Sequence, residues 1–194
     1  MTWPSLVLAS GSRYRREQLA RLGLVAISDS PDIDESRLPA ESPQQMALRL
    51  AHAKASCVGQ RHGGALIIGA DQVAVLDDRI LGKPGSALAQ QQQLIDCRGR
   101  LVAFHTALAV VDTRSQRCLE HLDLTRCQLR DLDDAAIARY VAAEPAYDCA
   151  GGFKVESRGI ALFERIDSED PSALIGLPLI ALCRLLRAFG CALP

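Results

Sequence analysis

Aromatic residues are scarce, at 4% of the 194 positions. No apolar run approaches the roughly 18 residues needed to span a bilayer, so a membrane protein is not expected. Charge of one sign is also lacking: 22 Lys and Arg nearly balance 23 Asp and Glu, for a formal net charge of −1. No global field draws such a chain to nucleic acid or to a membrane surface. Its one basic-aromatic cluster, "RYRR" at 13–16, has no counterpart elsewhere, which speaks against an RNA-binding module.

Seven cysteines (57, 97, 118, 127, 149, 183 and 191) form neither a CxxC pair nor a Cys/His spacing suited to zinc. Their odd number points to a reduced, cytoplasmic setting with most cysteines in the core. No secretory leader is read, since Thr2-Trp3-Pro4 runs into an apolar stretch too short for one. The four histidines (52, 62, 105 and 121) show no metal or triad spacing and read as structural. GxxxxGK[ST] is absent and no G-x-G-x-x-G follows a strand, so the usual ATPase and dinucleotide-binding readings fall away. Nor is there an internal repeat, a linker or a low-complexity tail. One domain over 1–194 is expected, with room for a sizeable core.

What the chain does contain is an alternation of strand and helix signals, which argues for an α/β architecture. "LVLA" at 6–9 reads as a buried strand and 14–22 as a helix, with Ser12 near its start and Gly23 beyond its end. A polar, acidic loop leads to "SPQQ", where Ser42 and Gln45 have capping-box spacing and Pro43 suits the first helical position. On the helix that follows, to about Cys57, Lys54 comes one turn after Leu50 and borders the buried stripe. "ALIIGAD" reads as a second buried strand ending at Asp71, "VAVLDDRIL" as a hairpin and "GKPG" as a turn. A helix over 86–97, longer strands over 101–111 and 117–129, a helix capped by Asp133, two short strands within 153–166 and a last helix with Pro178 near its start complete the pattern.

The stretch "SLVLASGSRYRREQL" at 5–19 carries the strongest chemical signal. A strand that turns through small residues into a helix presents unpaired backbone N–H groups to an anion. Ser10 and Ser12 add hydroxyls, and Arg15 and Arg16 can grip phosphate oxygens with forked guanidinium groups. As a mere surface helix the segment is electrostatically odd, because cations at a helix N-terminus oppose the dipole by about 0.3–1 kcal/mol each. An anionic ligand resolves that conflict, and polyphosphate fits. Asp71, at the expected strand end, lies where open α/β sheets place ligands and could hold a cation or accept a proton from water; a turn-capping role explains it equally well. Asp34 and Glu35 in "DIDES", Lys54, and Lys83 in "GKP" are weak signals taken singly.

Together "LASGSRYRREQL", "DIDES", "RLAHAKA", "IIGADQV", "GKP", "CAGGFKVE" and "DPSALIGLPL" resemble, in order and over nearly the whole chain, the Maf-like family of nucleoside triphosphate pyrophosphatases. The resemblance implies a central mixed, twisted sheet flanked by helices, with two lobes around a cleft, and a homodimer. It also implies hydrolysis of a nucleoside triphosphate to the monophosphate and pyrophosphate, with a divalent metal cation such as Mg²⁺, Mn²⁺ or Co²⁺. Asp71 takes the position of catalytic base or metal organiser. Ser10, Arg15, Glu35, Lys54 and Lys83 fall at the other polar positions of the family's cleft, with Glu35 beside Asp71 for the metal.

Within the family, Tyr14, Gln72 and Glu156 resemble the branch that hydrolyses 7-methyl-GTP, where the first position is commonly Trp. An aromatic face suits the positive 7-methylguanine by about 0.5–2 kcal/mol of cation–π attraction. A carboxylate such as Glu156 pairs with guanine N1–H and the 2-amino group, and pairs badly with uracil. Gln72 would shape the base or ribose pocket. Three departures stand out: Arg13 replaces the usual Pro, Tyr14 the usual Trp, and "GGF" a common "GSF". Two alternatives stay open: dTTP/UTP or a broad set of non-standard nucleotides as substrates, and a non-catalytic nucleotide-binding regulator of cell division.

Overall fold

The computed structural model describes residues 4–193, so Thr2 and Trp3 of the leader argument lie outside the described residues. In chain order its main elements are β1 (Ser5–Leu8), α1 (Arg13–Arg21), β2 (Ile27–Ser28), α2 (Pro43–Gly59), β3 (Ala65–Leu76), β4 (Arg79–Leu81), α3 (Ala87–Cys97), β5 (Leu101–Asp112), β6 (Cys118–Leu129), α4 (Asp134–Ala143), β7 (Phe163–Asp167) and α5 (Leu179–Ala188). The strands form one seven-stranded sheet in the order β2-β1-β3-β5-β6-β7, with β4 paired to β3 off that path. β1 is parallel to β2 and β3, and the remaining pairs are antiparallel. The sheet is therefore mixed and open, flanked by helices, an α/β fold as expected. No described helix is long and apolar enough to cross a membrane.

Local chemistry explains the helix boundaries. Ser12 caps α1, and at α2 both halves of the expected capping box form: Ser42 Oγ accepts from Gln45 N, and Gln45 Oε1 accepts from Ser42 N. Ser86 and Asp133 cap α3 and α4 in the same way. One face of the sheet packs Leu8, Leu66, Ile68 and Leu108 against Leu182 and Leu186 of α5. The other packs Ile67, Val73 and Val75 against Ala47, Ala51 and Ala55 of α2. Phe104, Leu94, Ile137 and Phe153 fill a third cluster, which α3 and α4 help to cover.

Two expectations fail, each for a physical reason. β3 does not end at Asp71. Its ladder with β5 runs unbroken from Leu66↔Asp112 to Leu76↔Val102, with Asp71 opposite Ala107 in mid-strand. A polar residue at the end of an apolar run looked like a terminus, but the antiparallel partner carries the strand through. In 153–166 only β7 is a strand, preceded by a 3-10 helix at Arg158–Leu162. There the chain folds back so closely that Gly159 N bonds to Lys154 O at 3.0 Å, and a Cβ on Gly159 would lie 2.4 Å from that oxygen. β2, two residues long, had no distinct signal.

The registers also create a gap. β1 pairs with β3 only through Leu8↔Ile68, and β4 joins the same edge only from Ala74↔Leu81. Between these pairings β3 has β5 on one side and neither β1 nor β4 on the other, and Asp71 lies in this interval. Side chains alternate across a strand, so Asp71 shares the α2 face with Ile67, Gly69 and Val73. At Gly69 the helix comes so near that a Cβ would sit 2.2 Å from Ala51 O and 2.8 Å from Ala55 N. Gly69→Ala should therefore push α2 off β3 and destabilise the fold by about 2 kcal/mol or more. Urea unfolding is the measurement, and an unchanged midpoint would rule out this close seating.

Candidate active site

A cavity of about 800 Å³ opens at the gap in the β3 edge. Its walls come from the turn after β1 (Ser10, Ser12), the start of α1 (Arg13, Tyr14, Arg15), Glu35, Lys54 of α2, Asp71 and Gln72 of β3, Lys83 after β4, and Glu156. Ten of the eleven residues given a site role from sequence thus share one cavity. Arg16 is the exception: it is exposed and its Nη1 donates to Gly11 O at 3.2 Å.

Lys54 is the centre of the site. It is 6% exposed, and its Nζ donates to Asp71 Oδ1 at 2.6 Å and pairs with Glu35 Oε1 at 2.8 Å. Two carboxylates thus converge on one ammonium, each with its second oxygen free of hydrogen bonds among the described residues. Such a hard, all-oxygen donor pair fits a divalent cation of the Mg²⁺ type. Asp34, the neighbour of Glu35, turns away, since its Oδ1 accepts from Ser36 N at 2.8 Å.

The loop that brings Glu35 is itself tied to α2. Arg49 pairs with Glu41 at 2.5 Å and donates to Ser36 O at 3.0 Å, while Arg37 Nε donates to Glu41 O at 2.8 Å. The Arg49 guanidinium holds the Glu41 carboxyl down at about 2. Farther back, Arg61 and His62 grip Asp29 at 2.8 Å and hold its carboxyl at about 2 as well.

The three arginines of the opening stretch part ways. Half-buried Arg15 donates from Nε to Gly176 O at 2.9 Å and from Nη1 to Ser10 Oγ at 3.2 Å. Burial pushes its guanidinium below the ordinary value, while Asp71 and Glu35 pull it back up. Ser10 Oγ also accepts from Ser12 N at 3.1 Å, so its own proton stays available to a ligand. Ser12 Oγ is occupied as the cap of α1, accepting from Arg15 N at 3.5 Å. Arg13 lies over the Tyr14 ring, 4.7 Å from its centroid, and donates from Nη2 to the Tyr14 hydroxyl at 2.7 Å. That hydroxyl reaches Asp148 at 3.2 Å across the cavity mouth. Asp148 is a wall residue that sequence reasoning missed, because nothing in "PAYDCAGG" separates it from a loop acid.

Gln72 Nε2 donates to Thr106 Oγ1 at 3.0 Å and to the carbonyls of Ala173 and Leu174 at 3.0 and 3.1 Å. Gln18 Nε2 holds the same segment at Ser172 O and Leu177 O. Gly176, in the left-handed region at φ 118°, turns its carbonyl toward Arg15. Lys83 and Glu156 stand exposed at the cavity wall with no ion pair among the described residues.

The Glu41 carboxyl titrates at about 2 in the fold against 4.5 for an unperturbed glutamate. Its contribution to stability is complete above that ordinary value and is lost only as pH falls toward 2. Arg49→Met removes the cause, so acid unfolding followed by circular dichroism should begin at a higher pH than in the parent. An unshifted acid transition would mean that this pair does not anchor the loop.

The chain matches the Maf-like protein family over residues 5–189. A Xanthomonas oryzae pv. oryzae protein named 7-methyl-GTP pyrophosphatase is 52% identical over 191 residues, covering 98% of this chain and 100% of that protein. A Bordetella pertussis protein of the same name is 50% identical over 187 residues, 96% and 93% of the two chains. One from Xanthomonas campestris pv. campestris is 50% identical over 191 residues, 98% and 99%. The ordered segments from "LASGSRYRREQL" to "DPSALIGLPL" thus lie inside a match that runs almost end to end, and the chain belongs to the Maf-like family.

Proposed function

We propose that this chain is a pyrophosphatase that hydrolyses 7-methyl-GTP to the monophosphate and pyrophosphate. The observation that carries the chemistry is the convergence of Asp71 and Glu35 on the buried Lys54 ammonium, with Arg15 lining the same cavity. Relatives of about half-identical sequence bear that enzyme's name over nearly the whole chain. A water molecule attacks the α-phosphorus, a P–O bond forms, and the bond to the α–β bridging oxygen breaks. Pyrophosphate leaves with the electron pair, and Asp71 accepts the proton of the water. Lys54 fixes the direction of that carboxylate by holding Oδ1 at 2.6 Å. Arg15, the free proton of Ser10, the first turn of α1 and Lys83 neutralise the triphosphate. A divalent cation held by Glu35 and Asp71 would stabilise the leaving pyrophosphate.

Base choice belongs to Tyr14 and Glu156. Arg13 already covers one face of the Tyr14 ring, so the methylated base stacks on the other. Glu156, exposed and without an ion pair among the described residues, is available to the guanine edge. Gln72 acts through the main chain, because its amide nitrogen is committed to the Ala173–Leu174 carbonyls and keeps the Gly176 turn beside Arg15. A homodimer, carried over from the family resemblance, and a cytoplasmic setting complete the proposal; seven unpaired cysteines suit a reducing compartment.

The test is pyrophosphate release, with Mg²⁺ or Mn²⁺, from 7-methyl-GTP, GTP, dTTP, UTP and CTP. The highest kcat/KM should fall on 7-methyl-GTP; a maximum on dTTP or UTP would keep the chemistry and overturn the base assignment. No release from any of the five would favour a nucleotide-binding regulator instead. Asp71→Asn should lower kcat by about 10²-fold or more while nucleotide binding persists. Unchanged turnover would remove Asp71 from the role of base. Tyr14→Ala should harm 7-methyl-GTP more than GTP, and an equal loss on both would leave stacking without a charge component.

A further inference from the structure

A second group of metal-ligating side chains lies away from the cleft. His52 projects from α2, and Cys118 and Glu120 from the start of β6, two residues apart and so on one face of that strand. His52 Nδ1 lies 2.8 Å from Glu120 Oε1 and 3.6 Å from Cys118 Sγ, and that sulfur is 3.9 Å from Glu120 Oε1. None of the three lines the cavity. His52 and Lys54 leave the helix about 200° apart, so the residue that serves the cleft and the one that serves this cluster point to different sides.

We infer that His52, Cys118 and Glu120 form a binding site for a zinc-class divalent cation, distinct from the proposed cleft metal. A tetrahedral ion with about 2.0 Å to nitrogen or oxygen and 2.3 Å to sulfur spaces its ligands about 3.3–3.8 Å apart. The two distances to sulfur already lie near that range, and the His–Glu hydrogen bond need open by only about half an ångström. Mixed nitrogen, sulfur and oxygen donors select Zn²⁺, Co²⁺ or Ni²⁺ over Mg²⁺, which takes oxygen alone. Three protein ligands leave the fourth position to water. The Cys118 thiol lies 3.9 Å from Glu120 Oε1, the same oxygen that meets His52 Nδ1. A bound cation would stabilise the thiolate there and release its proton. The ion would staple α2 to β6, holding in place the helix that also carries Lys54.

The test uses the full chain, freed of metal by chelator and titrated with Co²⁺ without nucleotide. About one equivalent of Co²⁺ should bring up a near-ultraviolet thiolate-to-cobalt absorption, and Zn²⁺ should displace it and raise the thermal midpoint. Cys118→Ser should abolish the band, and His52→Ala and Glu120→Gln should each weaken Co²⁺ binding by about tenfold or more. Turnover with Mg²⁺ should stay within about twofold of the parent in all three variants, because the cluster and the cleft share no side chain. A parent chain without the band, a band that survives Cys118→Ser, or undiminished affinity in Glu120→Gln each overturns the site. The oxygen donors of the cleft give no thiolate band, so none of these outcomes bears on the pyrophosphatase reading.

Discussion

The site depends on how closely α2 can approach β3. At Gly69 there is no room for a single methyl group between strand and helix, and Ala51 and Ala55 are equally small on the helical side. That contact carries Lys54 down to the sheet, where its ammonium meets Asp71 at 2.6 Å and Glu35 at 2.8 Å. A charge so deeply buried is tolerated only when paired, and here it is paired twice. The second constraint is the interrupted edge of β3. Had β1 or the antiparallel β4 run three residues further, a neighbouring strand would pair alongside Asp71 where the cavity now opens. Close packing on one side and missing pairing on the other together turn a mid-strand aspartate into a group that a substrate can reach.

Much of this was legible in the sequence. The helix caps at Ser12, Ser42 and Asp133, the hairpin after Val73 and the buried border position of Lys54 all follow from local rules, and local rules decide them. Asp71 was found for a reason the structure corrects. The carboxyl end that opens the cleft belongs to β1, whose last residue pairs with Ile68, and not to β3. Strand pairing is a tertiary fact, and the apolar pattern of "ALIIGADQVAVL" does not reveal which neighbour stops where. The same limit hides Asp148, 134 residues from the Tyr14 hydroxyl it accepts from, and the His52–Cys118 approach across 66 residues. Spacing along the chain gives His52 no zinc pattern, because its neighbours in space are distant in sequence.

Three cations within four residues at the start of α1 pose an electrostatic problem, and the fold answers most of it with its own groups. Arg16 bends back to a carbonyl and Arg13 rests on an aromatic ring. Arg15 is drawn deeper into the wall, held by Gly176 O and Ser10 Oγ and facing the field of Asp71 and Glu35. Arg13, which departs from the proline of the motif the segment resembles, packs on the Tyr14 ring. By lying on Tyr14 it places a guanidinium where a second cationic partner would otherwise stack. The other face is left to the base in the proposed reading, beside a ring whose hydroxyl is anchored to Asp148. Arg13 and Asp148 thus hold in place the ring to which base choice is assigned together with Glu156.

Metal chemistry needs the same separation of roles. The cleft offers two carboxylates, already close enough to share one ammonium, and so favours a hard cation with oxygen ligands. The cluster on the other side of α2 offers a ring nitrogen, a thiol and a carboxylate, which Mg²⁺ does not favour and Zn²⁺ or Co²⁺ does. A rate measured with Mg²⁺ therefore reads the cleft alone. With both proposed sites filled, a rate measured with Co²⁺ would combine two effects, the ion at the phosphates and the ion between α2 and β6. Because α2 carries Lys54, the second effect would reach Asp71 through the helix without any shared ligand. An order of metal activation across Mg²⁺, Mn²⁺, Co²⁺ and Zn²⁺ would become a property of the cleft only in a chain whose Cys118 has been replaced.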